Sequence, residues 1–201
     1  MSTYPHKHQK KIVIFASGTG TNAENIIKYF QNTPNIQVVA VLSNRRTAKV
    51  LKKAHDLNVK ALYFDRDALY HTREVYHVLK DINPDLIVLA GFLWIFPEYM
   101  LEEFSNKVIN IHPALLPNYG GKGMYGPKVH EAVITNKEDE SGITVHYVNE
   151  KYDEGQIIFQ TTVKVDPNDT PDSLAQKIHK LEHKHFPEVI EKLLINDTQS
   201  A

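Results

Sequence analysis

The chain has 201 residues, 24 acidic against 23 basic side chains, a formal net charge of −1 and no cysteine. That length suits one compact domain, and the balanced charge leaves no basic face for nucleic acid. Without cysteine there is no disulfide, no thiolate metal site and no cysteine nucleophile, which fits a reducing, cytoplasmic setting.

The first ten residues, MSTYPHKHQK, lack a signal-peptide core and read as a leader outside the fold. No apolar run approaches the roughly 18 residues of a membrane span. Residues 12–15 (IVIF) are apolar throughout, as suits a central parallel strand buried on both faces. The small residues Ser17-Gly18-Thr19-Gly20-Thr21-Asn22 follow. Residues 23–30 then carry Ile26, Ile27 and Phe30 at helical spacing, with Thr21 or Asn22 placed to cap the helix. Strand, glycine loop and helix in this order open a nucleotide-type α/β domain. The alternation continues with a strand at 36–42, a helix at 48–57, a strand at 60–64 and a helix at 72–82 striped by Val75, Val78, Leu79 and Ile82. Asn83-Pro84 breaks it; a strand at 86–90, a short helix at 97–104 and a strand at 107–111 come next. This spacing predicts an open, mostly parallel twisted α/β sheet, Rossmann-like, with right-handed crossovers and helices on both faces. After a helix at 129–135 the order changes. Residues 141–148 and 156–165 are long strands joined by a loop alone, so an antiparallel pair joins the sheet near the C-terminus. A terminal helix runs from Pro171 to about residue 194, and nothing marks a second domain.

The stretch from Val108 to Gly126 carries the chemistry. Asn110 interrupts an apolar strand, His112 follows two residues on, and Pro113 stops the ladder. Residues i and i+2 of a strand share a face, so an amide and an imidazole project together where the sheet opens. In open α/β sheets, ligands bind at that carboxyl edge. Asp153, next to Glu154 and Gly155 in the loop between the last two strands, is the best candidate for an acid that raises the imidazole pKa. Taken singly, each of these residues is more simply a satisfied polar group or a turn residue.

The first glycine loop departs from the dinucleotide fingerprint, since the second strand ends in Ser43-Asn44-Arg45-Arg46 with no carboxylate for a ribose diol. What remains is a small-residue turn at a helix N-terminus, where Gly20, Thr21 and Asn22 can cradle a phosphate. His179-Lys180-Leu181-Glu182-His183 matches the inverted zinc-protease pattern, but so short a string in a histidine-rich chain does not carry zinc chemistry. Glu182 can instead line a ligand site. Gly91 to Phe96 follows the fourth strand and can face a flat aromatic ligand, with Phe92 read as core.

Gly-Thr-Gly-Thr-Asn at 18–22, Ala-Gly-Phe at 90–92, Asn-Ile-His-Pro-Ala-Leu-Leu-Pro at 110–117, Gly-Ile-Thr-Val-His at 142–146 and Asp-Glu-Gly at 153–155 occur in this order. Over about residues 11–190 the chain resembles the phosphoribosylglycinamide formyltransferases, folate-dependent enzymes of purine biosynthesis. The string at 110–117 is specific to folate formyl-transfer domains. The phosphate loop and the length favour the glycinamide ribonucleotide branch over methionyl-tRNA formyltransferases, with their extra C-terminal domain, and formyltetrahydrofolate hydrolases, with their extra N-terminal one. The resemblance implies transfer of a formyl group from the co-substrate 10-formyltetrahydrofolate to the amine of 5-phosphoribosylglycinamide, without a metal. It implies that Gly20, Thr21 and Asn22 bind the substrate phosphate, that Asn110 and His112 are catalytic, and that Asp153 keeps His112 protonated. Thr144 would stand near His112, Glu182 would contact the ribonucleotide, and Arg73 would meet the folate. Leu93, Trp94, Ile95 and Phe96 would line the folate pocket, largely through backbone groups, with Asn110 facing it too. Trp94 replaces a basic residue of other members. The implied partners are small molecules, with no nucleic acid and no membrane, and the chain is expected as a monomer or homodimer. A related folate enzyme that passes formyl to water and a non-catalytic phosphate-binding module remain as alternatives.

Overall fold

A run that is apolar at every position must be covered on both sides, and residues 12–15 of β1 (Lys10–Phe15) are. The computed structural model describes residues 9–196. In it Ile12 and Ile14 face one core, shared with Ile26, Val50, Val133 and Phe186. Val13 and Phe15 face a second, shared with Leu42, Leu69, Leu79 and Met100. Burying one such aliphatic side chain contributes about 1.5–3 kcal/mol, so the central strand is a large part of what fixes the sheet.

Flanking β1 are β2 (Ile36–Ser43), β3 (Lys60–Tyr63), β4 (Leu86–Leu89), β5 (Val108–His112), β6 (Glu140–Tyr147) and β7 (Ile157–Lys164), in the order β3-β2-β1-β4-β5-β6-β7. The first five pair in parallel; β6 then pairs antiparallel with β5 and β7 antiparallel with β6, the last as the helix-free loop between them predicts. Helices α1 (Thr21–Phe30), α2 (Lys49–Asp56), α6 (Pro127–Thr135) and α7 (Pro171–Asn196) cover the first face. Helices α3 (Arg66–Tyr70), α4 (Glu74–Ile82) and α5 (Glu98–Glu103) cover the second.

Four expectations change. The leader was expected to run to Lys10, but Lys10 opens β1, its N–H bonded to the Asn35 carbonyl at 2.7 Å; residues 1–8 lie outside the described part. The cap of α1 is Gly20 in the left-handed region (φ 70°), with no side-chain cap from Thr21 or Asn22. A Cβ there would meet Val50 Cγ2 at 2.2 Å, so packing and backbone both require glycine. The helix expected from residue 72 begins at Glu74, because Arg73 also adopts a left-handed conformation (φ 60°). Before it stands α3, a single turn capped by Asp65, whose carboxylate accepts from the Ala68 N–H at 2.9 Å.

Proline at 187 lies inside α7 and has no N–H to give the carbonyl of His183, four residues back. Asn25 of α1 takes that carbonyl instead, its Nδ2 donating at 2.7 Å. The break in one helix is thereby a tie to another.

Candidate active site

Where β5 ends, the alternation of the strand delivers Asn110 and His112 to the same place, and β6 supplies their neighbours by register: Asn110 opposite His146, His112 opposite Thr144. Asp153 arrives from the β6–β7 loop. Its φ is +57°, a strained value for a residue other than glycine. Gly155 lets the loop return so closely that a Cβ there would lie 1.7 Å from the Tyr147 carbonyl oxygen. The acid expected to reach His112 does so: Asp153 Oδ2 is 3.5 Å from His112 Nδ1, and Oδ1 is 3.4 Å from Asn110 Nδ2.

The other side of His112 is also occupied. Its Nε2 donates to the Tyr119 carbonyl at 2.7 Å, and Tyr119 holds φ +57° to present that oxygen. With Nε2 as the donor, a neutral ring turns the Nδ1 lone pair toward Asp153. Burial pushes the His112 pKa below the ordinary imidazole range, and the pull of Asp153 and of the Tyr119 carbonyl the other way does not offset it. This corrects the expectation that the acid alone keeps His112 protonated: desolvation of a ring that is 4% exposed outweighs a carboxylate at 3.5 Å. Asp153 shows the reverse balance. Burial raises its pKa, but its contact with His146, the nearby His112 and the Gly121 N–H, which donates to Oδ2 at 3.0 Å, together bring it below the usual carboxylate range.

His146 was not singled out from the sequence. Its Nδ1 lies 2.8 Å from the Tyr147 carbonyl, to which it can donate, and the Asn110 amide then donates to its Nε2 at 3.1 Å. Both amide hydrogens of Asn110 are thus engaged, one by His146 and one, over the longer distance, by Asp153. Thr144, fully buried, does not bond the imidazole. Its hydroxyl donates to the Ala114 carbonyl at 2.7 Å and accepts from the Leu116 N–H and Gln160 Nε2, holding the chain in place just after His112.

At the α1 end, Gly20, Thr21 and Asn22 form the turn expected to cradle a phosphate. Asn22 Nδ2 donates to Glu182 Oε2 at 3.0 Å, joining residues 160 positions apart, and Asn22 Oδ1 is buried without a partner among the described residues. Glu182 is 5% exposed. Burial raises its pKa, against Asn22 and His179. The His179–His183 string packs its acid, Glu182, onto α1, and the described residues hold no group of three or more histidines and acids placed for a metal.

The expected folate side is a separate cluster. The Leu93 N–H donates to Ser17 Oγ at 3.0 Å and the Ile95 carbonyl accepts from the Tyr70 hydroxyl at 2.8 Å, so the protein already uses part of the backbone read as ligand-facing. Leu93 and Ile95 are each 36% exposed. The Phe96 ring, by contrast, is core, edge-on to Phe15. Phe92 packs on Phe15 and Phe64, as read. The Arg66 guanidinium, absent from the sequence reading, lies 5.7 Å over Trp94 and 5.2 Å over Tyr70. Arg73 stacks on Tyr99 at 4.7 Å, with no described contact to Asn110 or His112. Two cavities of about 260 Å³ lie elsewhere, one beside Phe30 and Ile36, the other beside Glu98 and Val148, and neither touches Asn110, His112 or Asp153.

A family model described as formyl transferase matches residues 10–190. The chain belongs to that family. A phosphoribosylglycinamide formyltransferase of Bacillus subtilis is 33% identical over 92% of this chain and 95% of its own length. A chloroplastic phosphoribosylglycinamide formyltransferase of Arabidopsis thaliana is 38% identical over 90% of this chain, which spans only 64% of that plant protein. Among solved structures, glycinamide ribonucleotide transformylase 1 from Geobacillus kaustophilus superposes with a TM-score of 0.85 at 32% identity, covering 93% of this chain and all of that one. The family match spans the whole sheet and the segment that carries Asn110, His112 and Asp153.

Proposed function

We propose that this formyl transferase moves the formyl group of 10-formyltetrahydrofolate to the amine of 5-phosphoribosylglycinamide, in purine biosynthesis in the cytoplasm. The observation that carries the reading is the meeting of Asn110 and His112 around Asp153, at the same sheet edge as the Asn22–Glu182 contact. A phosphate at Gly20, Thr21 and Asn22 anchors the acceptor remotely from the reacting carbon, and remote binding energy then orients the amine. Arg73, Leu93, Trp94 and Ile95 serve the folate side.

The amine attacks the formyl carbon and the carbonyl oxygen becomes an oxyanion. Asn110 turns a hydrogen toward it, giving up its weak 3.4 Å contact with Asp153. A donor of this kind is worth about 10²–10³ in rate. The new C–N bond leaves the attacking nitrogen positive. His112 takes that proton at Nδ1, the nitrogen left without a hydrogen, and the resulting imidazolium is held between Asp153 and the Tyr119 carbonyl. The ring is neutral before attack because burial disfavours its charge, and charged after it because the oxyanion and Asp153 then face it together. As the C–N bond to the folate breaks, the same proton passes to the departing folate nitrogen. The step needs no covalent enzyme intermediate and no metal.

The test is formyl transfer by the purified chain, with labelled 10-formyltetrahydrofolate, in the presence and absence of the ribonucleotide. Label in the ribonucleotide supports the reading. Formate release at the same rate without the ribonucleotide would mean a hydrolase instead.

A further inference from the structure

His130, in the middle of α6, is 4% exposed, and neither ring nitrogen makes a hydrogen bond among the described residues. Its Nδ1 is sealed from solvent, which leaves Nε2 as the open nitrogen. A buried ring nitrogen without a partner costs stability, because it has lost water and gained nothing. Such a group calls for a specific explanation. Its surroundings supply one. His179 on α7 and His112 on β5 lie near it. His179 in turn acts on Glu182, which holds Asn22, whose own Oδ1 is buried and unpartnered. His130 and Asn22 thus each leave a buried polar atom unpartnered among the described residues, one near His112 and one at the phosphate turn.

We propose that His130 is a substrate-binding residue for the acceptor, hydrogen-bonding the sugar–amide span between its phosphate and its amine. The inference rests on the formyl-transfer reading, which defines those two ends. Burial pushes the His130 pKa down to about 4, with the nearby His179 and His112 acting in the same direction, so the ring is uncharged at neutral pH. An uncharged imidazole, one nitrogen donor and one acceptor, matches hydroxyl and carboxamide groups and not a phosphate. Glu182, bonded to Asn22 of the phosphate turn, suits the same span.

The test compares His130→Phe and His130→Gln with the wild type. Phenylalanine keeps the ring volume and deletes both nitrogens; glutamine carries an amide to the place of Nε2. Phosphoribosylglycinamide binding is titrated by calorimetry without folate, and turnover is measured with both substrates. H130F is expected to melt at the same or a higher temperature, to bind the ribonucleotide at least tenfold more weakly, and to keep its KM for 10-formyltetrahydrofolate within twofold. H130Q is expected to recover most of the lost affinity. Ribonucleotide affinity and kcat/KM within twofold of wild type in H130F would overturn the proposal. If H130F does not fold, H130Q must bind at least tenfold more tightly than His130→Leu, and equal affinities would overturn it. Wild-type binding without formyl transfer would count against the proposed reaction alone, and no binding by the wild type would overturn both.

Discussion

His112 Nε2 donates to the Tyr119 carbonyl at 2.7 Å, and this bond decides which nitrogen faces Asp153. The sign of the pH dependence follows from burial. The folded-state pKa values of His112 and His130 lie below their unfolded values, so the stability tied to each neutral ring is intact above the unfolded value. It is lost as pH falls through the ordinary histidine range toward the folded pKa. For His130, lowered to about 4, the loss is about 3 kcal/mol between pH 6.5 and 4. Glu182 works oppositely: its raised pKa contributes stability in acid that is lost as pH rises through the folded value. Urea unfolding of wild type and H130F at pH 7.5 and 4.5 checks this, and the gap in favour of the variant should widen on acidification.

Asn110→Ala and His112→Ala should each lower formyl transfer by about 10²–10³ without changing the melting temperature by more than a few degrees. Asp153→Asn should fall in the same range, since it removes the charge that holds the imidazolium. Steady-state rates decide, and near-full activity in His112→Ala would sink the proton-transfer role.

Thr144→Val keeps the volume and removes a hydroxyl that serves three partners. Leaving the Leu116 N–H and the Ala114 carbonyl without their partner should cost about 2–4 kcal/mol, while Gln160 keeps its bond to the Leu116 carbonyl. Because those partners lie just beyond His112, turnover should drop as well, by less than in His112→Ala. Denaturant midpoints and kcat, read on one preparation, separate the two effects.

Gly20→Ala combines a left-handed φ with a Cβ 2.2 Å from Val50. The backbone term alone is about 1–2 kcal/mol, and the overlap with Val50 adds to it. The loss of stability should accompany weaker ribonucleotide binding, measurable by calorimetry, with the KM for 10-formyltetrahydrofolate unchanged.

The sheet was legible because apolar runs such as Ile12–Phe15 have no other place to go, and the i, i+2 pairing of Asn110 and His112 follows from strand geometry. His146 was not legible. Its proximity to Asn110 is a matter of antiparallel register, which no single-strand pattern encodes. α3 escaped because one turn, Arg66–Tyr70, has no periodicity to read; only the Asp65 cap marked it, and with it went Arg66 over Trp94. The charge of His112 was misjudged because a sequence shows a possible acid partner but not how dry the ring is. Phe96 is expected at the pocket through its backbone, and its ring belongs to the core.

Pro187 leaves the His183 carbonyl to Asn25, and Asn22 and Glu182 lie within a turn of that contact on either helix. Replacing this proline would look like a repair, since a helix interior gains about 3 kcal/mol of propensity when proline becomes alanine. The restored N–H would compete with Asn25 for the carbonyl. A thermostabilisation programme that swaps prolines out of helices would therefore strengthen α7 while unfastening it from the phosphate turn, trading melting temperature against substrate affinity.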